Sequence, residues 1–222
     1  AMASSSGLRV KPQIKRLQRV GMVQMMNKID GLVLAAGRSK RMGCGDKLKS
    51  ILDKKTLLEH VVDRLEPQVS ELFINANPDL CDDQPLTVIA DHMEGFQGPL
   101  TGLWSALKSG QLSDASYLMM VPCDGPFIPH NLVAELYQLM AKNDADIACV
   151  RYQGFAQPTF SLWNKRVLPA VEETLLVKKM GGFKSLLAEL NTVYLDWPEQ
   201  SLNPFFNINT PEDLAEAELL LA

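Results

Sequence analysis

The feature that most constrains the fold is an uncharged apolar run that ends in small residues and leads into a glycine-rich, cationic loop. Residues 32–36 read Leu-Val-Leu-Ala-Ala, and residues 37–47 contain three glycines and four basic side chains. A charge-free run of this kind is typical of a strand that is buried on both faces of a parallel sheet. The sequence therefore predicts an α/β fold in which the first strand leads into an anion-binding turn.

The composition of this loop suits a polyphosphate ligand. Ala35, Ala36 and Gly37 carry little or no side chain, so their backbone N–H groups can approach phosphate oxygens closely. Several phosphate oxygens can be neutralised by the four cations of the loop, which are Arg38, Lys40, Arg41 and Lys47. Neither G-x-x-x-x-G-K-[ST] nor G-x-G-x-x-G fits these residues, so the loop is neither a P-loop nor a dinucleotide fingerprint. The alternative is a surface turn whose charges serve solubility.

Charge is unevenly distributed along the chain. Residues 1–28 contain six basic side chains and no acidic one, which leaves 16 basic against 26 acidic residues in the remainder. We expect residues 1–28 to be a disordered basic extension, either native or added as an expression leader, and residues 29–222 to form a single domain. A transit peptide has a similar composition and is the alternative for the extension. The acidic remainder argues against a general nucleic-acid surface.

Apolar run length and cysteine spacing predict the environment of the chain. No apolar run approaches the length of a membrane span, so no membrane partner is expected. The four cysteines are widely spaced, without a C-x-x-C motif, which suits free thiols in a reducing compartment. These patterns predict a cytoplasmic protein.

Apolar runs alternate with helical patterns along most of the chain. Strands are predicted at residues 31–35, 72–74, 86–90, 117–121, 147–150, 157–162 and 193–195. A capping box at Thr56 and Glu59 begins one helix, and Thr210 with Pro211 begins the last. This alternation predicts a single three-layer α/β/α domain with a mostly parallel, Rossmann-like sheet.

Polar side chains follow three of the predicted strands. Asn75 and Asp91 come directly after the second and third strands, and Asp124 follows the fourth strand after Pro122 and Cys123. Because the carboxyl ends of parallel strands meet at one edge, these side chains should face the same cleft as the loop. Asp124 lies between Pro122 and Pro126, which restrict the backbone, and it is the first choice for a Mg²⁺ ligand. Simple turn formation is the alternative for each of the three.

A cationic loop combined with carboxylates at strand ends suits metal-assisted attack on a nucleoside triphosphate. Asp124 would hold the metal, while Arg41 and Lys47 would stabilise charge on the α-phosphate and on the departing pyrophosphate. A phosphate nucleophile needs no general base, which agrees with the absence of histidine from this set.

Five motifs in order carry a resemblance to a known family. They are L-A-A-G-x-x-x-R-M-G-x-x-D-K (34–47), N-A-N (75–77), G-P-L-x-G (98–102), P-C-D-x-P-F-I-P (122–129) and N-I-N-T-P-E-D-L (207–214). Together they resemble the molybdopterin nucleotidyltransferase family, the molybdenum cofactor guanylyltransferases, over about residues 30–221.

The resemblance implies a nucleotidyltransferase fold and Mg²⁺-dependent transfer of GMP from GTP to molybdopterin, with release of pyrophosphate. Other proteins of molybdenum cofactor synthesis, or acceptor proteins, would then be further partners. Carried over residue by residue, it places catalysis on Arg41, Lys47 and Asp124, the metal on Asp124, and the pterin acceptor on Asn207 and Asn209. The nucleotide would contact Leu34, Ala35, Ala36, Gly37, Lys47, Asn75, Asp91 and Asp124.

Two positions depart from the family pattern. The chain has Ala36-Gly37 where the family usually has a glycine pair, and Leu48 where a glycine often follows the loop lysine. Alanine at position 36 is common in related sugar and cytidylyl enzymes, so a cytidylyl or sugar-phosphate nucleotidyltransferase is the alternative. Outside the enzymes, the alternative is a non-catalytic nucleotide-sensing module.

Overall fold

A computed structural model describes residues 28–35, 50–78, 86–93 and 98–221, together with residues 21 and 25. Its strands are β1 (Ile29–Leu34), β2 (Ile51–Leu52), β3 (Lys55–Thr56), β4 (Leu72–Asn75), β5 (Thr87–Ile89), β6 (Tyr117–Pro122), β7 (Ile147–Tyr152), β8 (Phe155–Asn164) and β9 (Thr192–Trp197). Its α-helices are α1 (Leu57–Leu65), α2 (Pro99–Lys108), α3 (Leu132–Asn143), α4 (Leu168–Glu172), α5 (Lys184–Glu189) and α6 (Pro211–Leu221). A π-helical turn, Glu173–Val177, continues α4.

Seven strands of the described chain form one sheet in the order β5-β4-β1-β6-β8-β7-β9. The pairs β1–β4, β1–β6, β4–β5 and β7–β9 are parallel, whereas β8 runs antiparallel to both of its neighbours. The chain proceeds outward from β1 to β4 and β5, then returns to place β6 on the other side of β1. The strand order therefore reverses between β1 and β6, and open α/β sheets bind ligands beside such a reversal.

The alternation of side chains along β1 explains why both faces of the sheet are covered. Ile29 and Val33 point into one core, which packs against α1 and α3, while Leu32 points into a second core against α2, α4 and α5. All three side chains are fully buried. The result is the three-layer α/β/α arrangement with a mostly parallel sheet that the sequence predicts.

Helix caps lie where the sequence predicts them. The Glu59 N–H donates to Thr56 Oγ1 at 3.1 Å and the Thr56 N–H donates to Glu59 Oε2 at 2.6 Å, which completes the capping box of α1. At α6, the Asp213 N–H donates to Thr210 Oγ1 at 3.1 Å and Asp213 Oδ2 accepts the Thr210 N–H at 2.9 Å. Both caps satisfy N–H groups that a helix start leaves without intrahelical partners.

The sequence predicts a strand near residues 157–162 but does not predict its direction. Gln153 and Gly154 connect β7 to β8 with φ angles of 49° and 81°. Positive φ at both central residues is the geometry of a two-residue type I′ turn, which makes an antiparallel hairpin. This turn reverses the chain and places the start of β8 at the carboxyl edge of β6.

None of the helices in the described part of the chain is long and apolar enough to cross a membrane. Cys149 is a buried free thiol on β7, and its burial raises the pKa of the thiol to about 12.

Candidate active site

A pocket opens at the carboxyl edge of the sheet, beside the reversal of strand order. It encloses about 630 Å³, including its open mouth. Its lining comprises Leu34, Asn75, Asp91, Gly98, Pro99, Gly102, Pro122, Asp124, Thr159 and Asn207. The lining residues come from the ends of four parallel strands or from just after them, from the start of α2, from the antiparallel strand β8 and from the segment before α6.

Sheet register places three of these residues side by side. Leu34 is the partner of Asn75 on β4 and of Pro122 on β6. Beyond the strand ends the ladder continues, because the Cys123 N–H donates to the Leu34 carbonyl at 3.0 Å and the Ala35 N–H donates to the Asn75 carbonyl at 2.8 Å. The floor of the pocket is therefore hydrogen-bonded sheet, which fixes where the side chains that follow it emerge.

One side of the pocket is formed by Asn75, Asp91 and Gly102, which we call the Asn75 wall. Asn75 is buried, and its Nδ2 donates to Asp91 Oδ1 at 3.0 Å and to the Ile89 carbonyl at 3.1 Å. Both amide protons are therefore committed within the protein. This pairing fixes the orientation of the Asp91 carboxylate before any ligand arrives.

Helix α2 supports the Asn75 wall from behind. A Cβ atom on Gly102 would lie 2.3 Å from Asn75 Oδ1 and 2.8 Å from Leu34 Cδ2, so only glycine lets the helix approach this closely. One turn further along the same helix face, the Ser105 hydroxyl accepts the His92 N–H at 3.0 Å. Gly102 and Ser105 thus set the positions of Asn75 and of the segment that carries Asp91.

Asp124 lies in the turn that follows β6, between the two sides of the pocket. Its carbonyl accepts the Ile208 N–H at 2.9 Å, and its carboxylate oxygen Oδ1 is buried. The next residue, Gly125, packs so closely that a Cβ atom there would lie 2.5 Å from Phe160 Cζ. The turn that presents Asp124 is therefore held from two directions, by the segment before α6 and by β8.

The opposite side of the pocket is formed by Asn207 and Thr159, which we call the Asn207 wall. Asn207 Oδ1 is buried and has no hydrogen-bond partner among the residues that the structure describes. The next residue, Ile208, is fully buried in a small core with Leu52, Leu57, Phe127 and Ala217. This packing holds Asn207 at the pocket, and its buried carbonyl oxygen is available to a ligand N–H.

The predicted site residues fall into three groups. Leu34, Asn75, Asp91, Asp124 and Asn207 all line the pocket. Ala35 lies at the end of β1 and does not itself line the pocket, whereas Asn209 is exposed and its N–H donates to Asp213 Oδ2 at the start of α6. Four further predicted residues lie outside the described residues, namely Ala36, Gly37, Arg41 and Lys47.

Sequence reasoning missed Thr159 as a pocket residue. Its strand is predicted, but alternation of apolar residues does not give strand direction, and only an antiparallel β8 brings Thr159 to this edge. The signal that could have found it is the short Gln153-Gly154 turn, because two residues cannot make a parallel crossover.

The pocket offers oxygen atoms as metal ligands. Carboxylates come from Asp91 and Asp124, and an amide oxygen comes from Asn207. Hard cations such as Mg²⁺ take oxygen ligands, commonly one or two carboxylates with waters and substrate phosphates. Within the described ranges, no three His, Cys, Asp or Glu side chains cluster to hold a metal.

The chain matches a family model and several curated proteins. Residues 31–193 match the MobA-like NTP transferase domain. The chain is 39% identical over 191 residues to a molybdenum cofactor guanylyltransferase of Rhodopseudomonas palustris (strain BisB5), a match that covers 84% of this chain and 91% of the relative. It is 37% identical over 198 residues to the molybdenum cofactor guanylyltransferase of Bradyrhizobium sp. (strain ORS 278), covering 87% of this chain and 93% of that one.

Solved structures share the fold at lower sequence identity. Molybdopterin-guanine dinucleotide biosynthesis protein A from Archaeoglobus fulgidus superposes with a TM-score of 0.73 at 23% identity, covering 86% of this chain and 98% of that one. The 4-diphosphocytidyl-2C-methyl-D-erythritol synthase of Anaerococcus prevotii gives a TM-score of 0.65 at 14% identity, covering 88% and 98%. These neighbours confirm the predicted nucleotidyltransferase fold.

The family model spans most of the described sheet, and the curated relatives extend over more than four-fifths of the chain, so the resemblance carried by the five sequence motifs is confirmed. The chain therefore belongs to the MobA-like NTP transferase family and is a nucleotidyltransferase.

Proposed function

We propose that this enzyme transfers GMP from GTP to molybdopterin with the help of Mg²⁺ and releases pyrophosphate. The observation that carries the proposal is the placement of Asp124 between two polar walls of one pocket, at the reversal of strand order. A transferase needs such an arrangement, because a donor and an acceptor must meet at one reacting phosphorus. The names of the curated relatives support guanine and molybdopterin as the two substrates.

The nucleoside of GTP would bind at the Asn75 wall. Both amide protons of Asn75 are already used in hydrogen bonds within the protein. The group that this wall offers to a ligand is therefore the Asp91 carboxylate, which in its ionised form accepts hydrogen bonds and donates none. The guanine edge presents a ring N–H beside an amino group, and both are donors. Its triphosphate would lie near the end of β1, and Arg41 and Lys47, which lie outside the described residues, are predicted to bind it.

Magnesium fits this donor set. Asp124 would hold the ion together with phosphate oxygens and water, which is the usual way in which proteins bind Mg²⁺ at nucleotides. When bound, the ion supplies positive charge that stabilises the charge growing on the phosphate oxygens in the transition state.

The transfer requires one bond to form and one to break. An oxygen of the molybdopterin phosphate attacks the α-phosphorus of GTP, and the bond from that phosphorus to the oxygen bridging to the β-phosphate breaks. The electron pair leaves with pyrophosphate, and a phosphate nucleophile at neutral pH has no proton that must be removed first. The protein's residues therefore position the two substrates in line, with the acceptor on the Asn207 wall.

The alternative base is cytosine, which the alanine at position 36 favours by analogy with cytidylyl enzymes. The curated relatives outweigh this single position, since they match over 191 and 198 residues. The cytoplasmic location and any hand-over to other proteins of molybdenum cofactor synthesis stay predictions.

The test is a substrate panel. Purified protein is incubated with Mg²⁺, molybdopterin and each of GTP, CTP, ATP and UTP, and released pyrophosphate and the dinucleotide product are both quantified. We expect product from GTP only, together with stabilisation against thermal unfolding by GTP and not by the other three. Product from CTP or UTP but not from GTP would overturn the assignment of guanine.

A further inference from the structure

The strand β8 contains an irregularity directly beside the pocket. On β7, Cys149 and Val150 are consecutive, yet their partners on β8 are Ser161 and Gln157. Three residues of β8, Pro158–Phe160, therefore have no partner on β7 in this fully described part of the sheet. Bulges occur next to active sites, where they redirect a side chain that a regular strand would point elsewhere.

The bulge is held in one conformation by its own contacts. Pro158 has no N–H to donate to the ladder, so an interruption of the ladder at this position leaves no backbone donor of that residue unpaired. The Ser161 hydroxyl donates to the Pro158 carbonyl at 2.6 Å and accepts the Trp163 Nε1–H at 2.7 Å, and both Ser161 and Trp163 are fully buried. The loop of the bulge is thus closed by a buried hydrogen-bonded pair.

Phe160 anchors the bulge to the turn that carries Asp124. Its ring is fully buried, stacks edge-on against Phe205 with centroids 5.1 Å apart, and lies against Gly125. Since Gly125 follows Asp124, and Phe205 lies two residues before Asn207, Phe160 fixes the bulge relative to both. Thr159, between the anchored Phe160 and Pro158, is left half-buried and lines the pocket.

Within the described part of the chain, the hydroxyl of Thr159 has no hydrogen-bond partner. Thr159 shares the Asn207 wall with the buried Asn207 Oδ1, which has no partner among the described residues either. This wall therefore offers an acceptor at Asn207 and a hydroxyl that can donate or accept at Thr159. A heterocycle with a ring N–H beside a carbonyl or ring nitrogen satisfies both, and a pterin has such an edge.

Thr159 lies several strands away from the proposed nucleotide site. Along the sheet, β4 with Asn75 and β8 with Thr159 are separated by β1 and β6. Three strand spacings correspond to about 14 Å. Asp124 follows β6, between these two strands, so a nucleoside at the Asn75 wall leaves Thr159 for the second substrate.

We propose that the Thr159 hydroxyl, presented by the Pro158–Phe160 bulge, hydrogen-bonds the pterin of the acceptor and contributes to acceptor selection. This inference rests on the proposed function, from which it takes the identity of the acceptor. It adds an acceptor-binding residue on a strand outside the five motifs by which the family resemblance was found.

The test compares three substitutions. T159V removes the hydroxyl while keeping the branched shape, and T159S keeps the hydroxyl. T192V is the control, because it makes the same chemical change on β9, the outermost strand of the sheet, where Thr192 pairs with Ile147. For T159V we expect the KM for molybdopterin to rise about five- to tenfold, which corresponds to one lost hydrogen bond. T159S and T192V should stay within about twofold of wild type, and the Kd for GTP should be unchanged in all three.

Equilibrium binding separates this inference from the proposed function. Molybdopterin is titrated into wild type and T159V without nucleotide, and binding is followed by fluorescence. Weaker binding of molybdopterin to T159V than to wild type supports the inference. This holds even if wild type releases no pyrophosphate, because the absence of pyrophosphate release would overturn only the proposed function. An unchanged affinity for molybdopterin, or an affinity for GTP that falls as far as that for molybdopterin, would overturn the role of Thr159.

Discussion

The two walls of the pocket differ in how their polar groups are used. On the Asn75 wall, both amide protons of Asn75 are committed to Asp91 and to the Ile89 carbonyl, and a helix glycine packs against the amide oxygen. On the Asn207 wall, Asn207 Oδ1 is buried without a partner among the described residues, and the Thr159 hydroxyl makes no hydrogen bond there either. Among the described residues, the polar groups of the first wall are therefore paired within the protein, whereas those of the second wall are left open to a ligand.

This difference fits the two requirements of a transferase, which must position one substrate for attack and select the other. A preorganised wall orients its ligand at low entropic cost, which suits the substrate whose α-phosphorus must be placed for attack. A wall with unpaired polar groups discriminates by hydrogen bonding, because a ligand that lacks the matching donor leaves a buried acceptor unsatisfied. The structure therefore suggests precise positioning on one side and selection on the other.

The largest expected effect follows from Asp124, which lies between the walls and should serve both. D124N keeps the size of the side chain and removes its charge, and kcat should fall about 100- to 1,000-fold. The matched control is D114N, the same change at an exposed aspartate before the other end of β6, which should keep full activity. Steady-state pyrophosphate release measures both, and D124N turnover within tenfold of wild type would contradict the role of Asp124.

The Asn75 wall can be broken by adding one methyl group to α2. In G102A the new Cβ would meet Asn75 Oδ1 at 2.3 Å, so the amide must turn and its hydrogen bond to the Asp91 carboxylate is lost. A hydrogen bond to a charged group contributes enough that the Kd for GTP should rise about 10- to 100-fold. G182A is the control, since no described residue other than its two chain neighbours lies within 4 Å of a Cβ there. Calorimetry that finds equal GTP affinity in both variants would refute the wall's preorganisation.

The corresponding change on the Asn207 wall is G125A, with a smaller expected effect. The added Cβ would meet Phe160 Cζ at 2.5 Å, and the ring must leave its rotamer or push the bulge outward. We expect a two- to tenfold rise in the KM for molybdopterin, from about 0.5–1.5 kcal/mol of strain. Overpacking should also lower the free energy of unfolding by about 1–3 kcal/mol. A change in KM that is confined to GTP would contradict the assignment of the bulge to the Asn207 wall.

Asn75 and Asp91 of the Asn75 wall could be predicted from the sequence because both stand at the ends of predicted strands. Apolar runs give the positions of buried strands, and topology alone then brings Asn75, Asp91 and Asp124 to one edge. The caps of α1 and α6 were predictable for a similar reason, since Thr56 with Glu59 and Thr210 with Asp213 act locally.

The Asn207 wall depends on long-range packing, and only part of it could be predicted. Asn207 was predicted from the resemblance to a family, since no local pattern in the sequence reveals its position. That position depends on the hydrogen bond from the Ile208 N–H to the Asp124 carbonyl, which joins residues 84 positions apart in the chain. Thr159 depends on the direction of β8 and on a bulge, neither of which alternation of side chains reveals. Asn209, which the same resemblance assigned to the acceptor, is exposed, and its backbone N–H donates to Asp213 Oδ2 at the start of α6, so its role in acceptor binding stays a prediction.

The most direct test of two separate walls is the same substitution made once in each. N75A and N207A are assayed for the KM of GTP at saturating molybdopterin and for the KM of molybdopterin at saturating GTP. We predict that N75A raises the KM of GTP at least about tenfold and leaves that of molybdopterin within twofold, and that N207A does the reverse. If both variants raise the KM of the same substrate, the two walls form one binding site and the division proposed for this pocket is wrong.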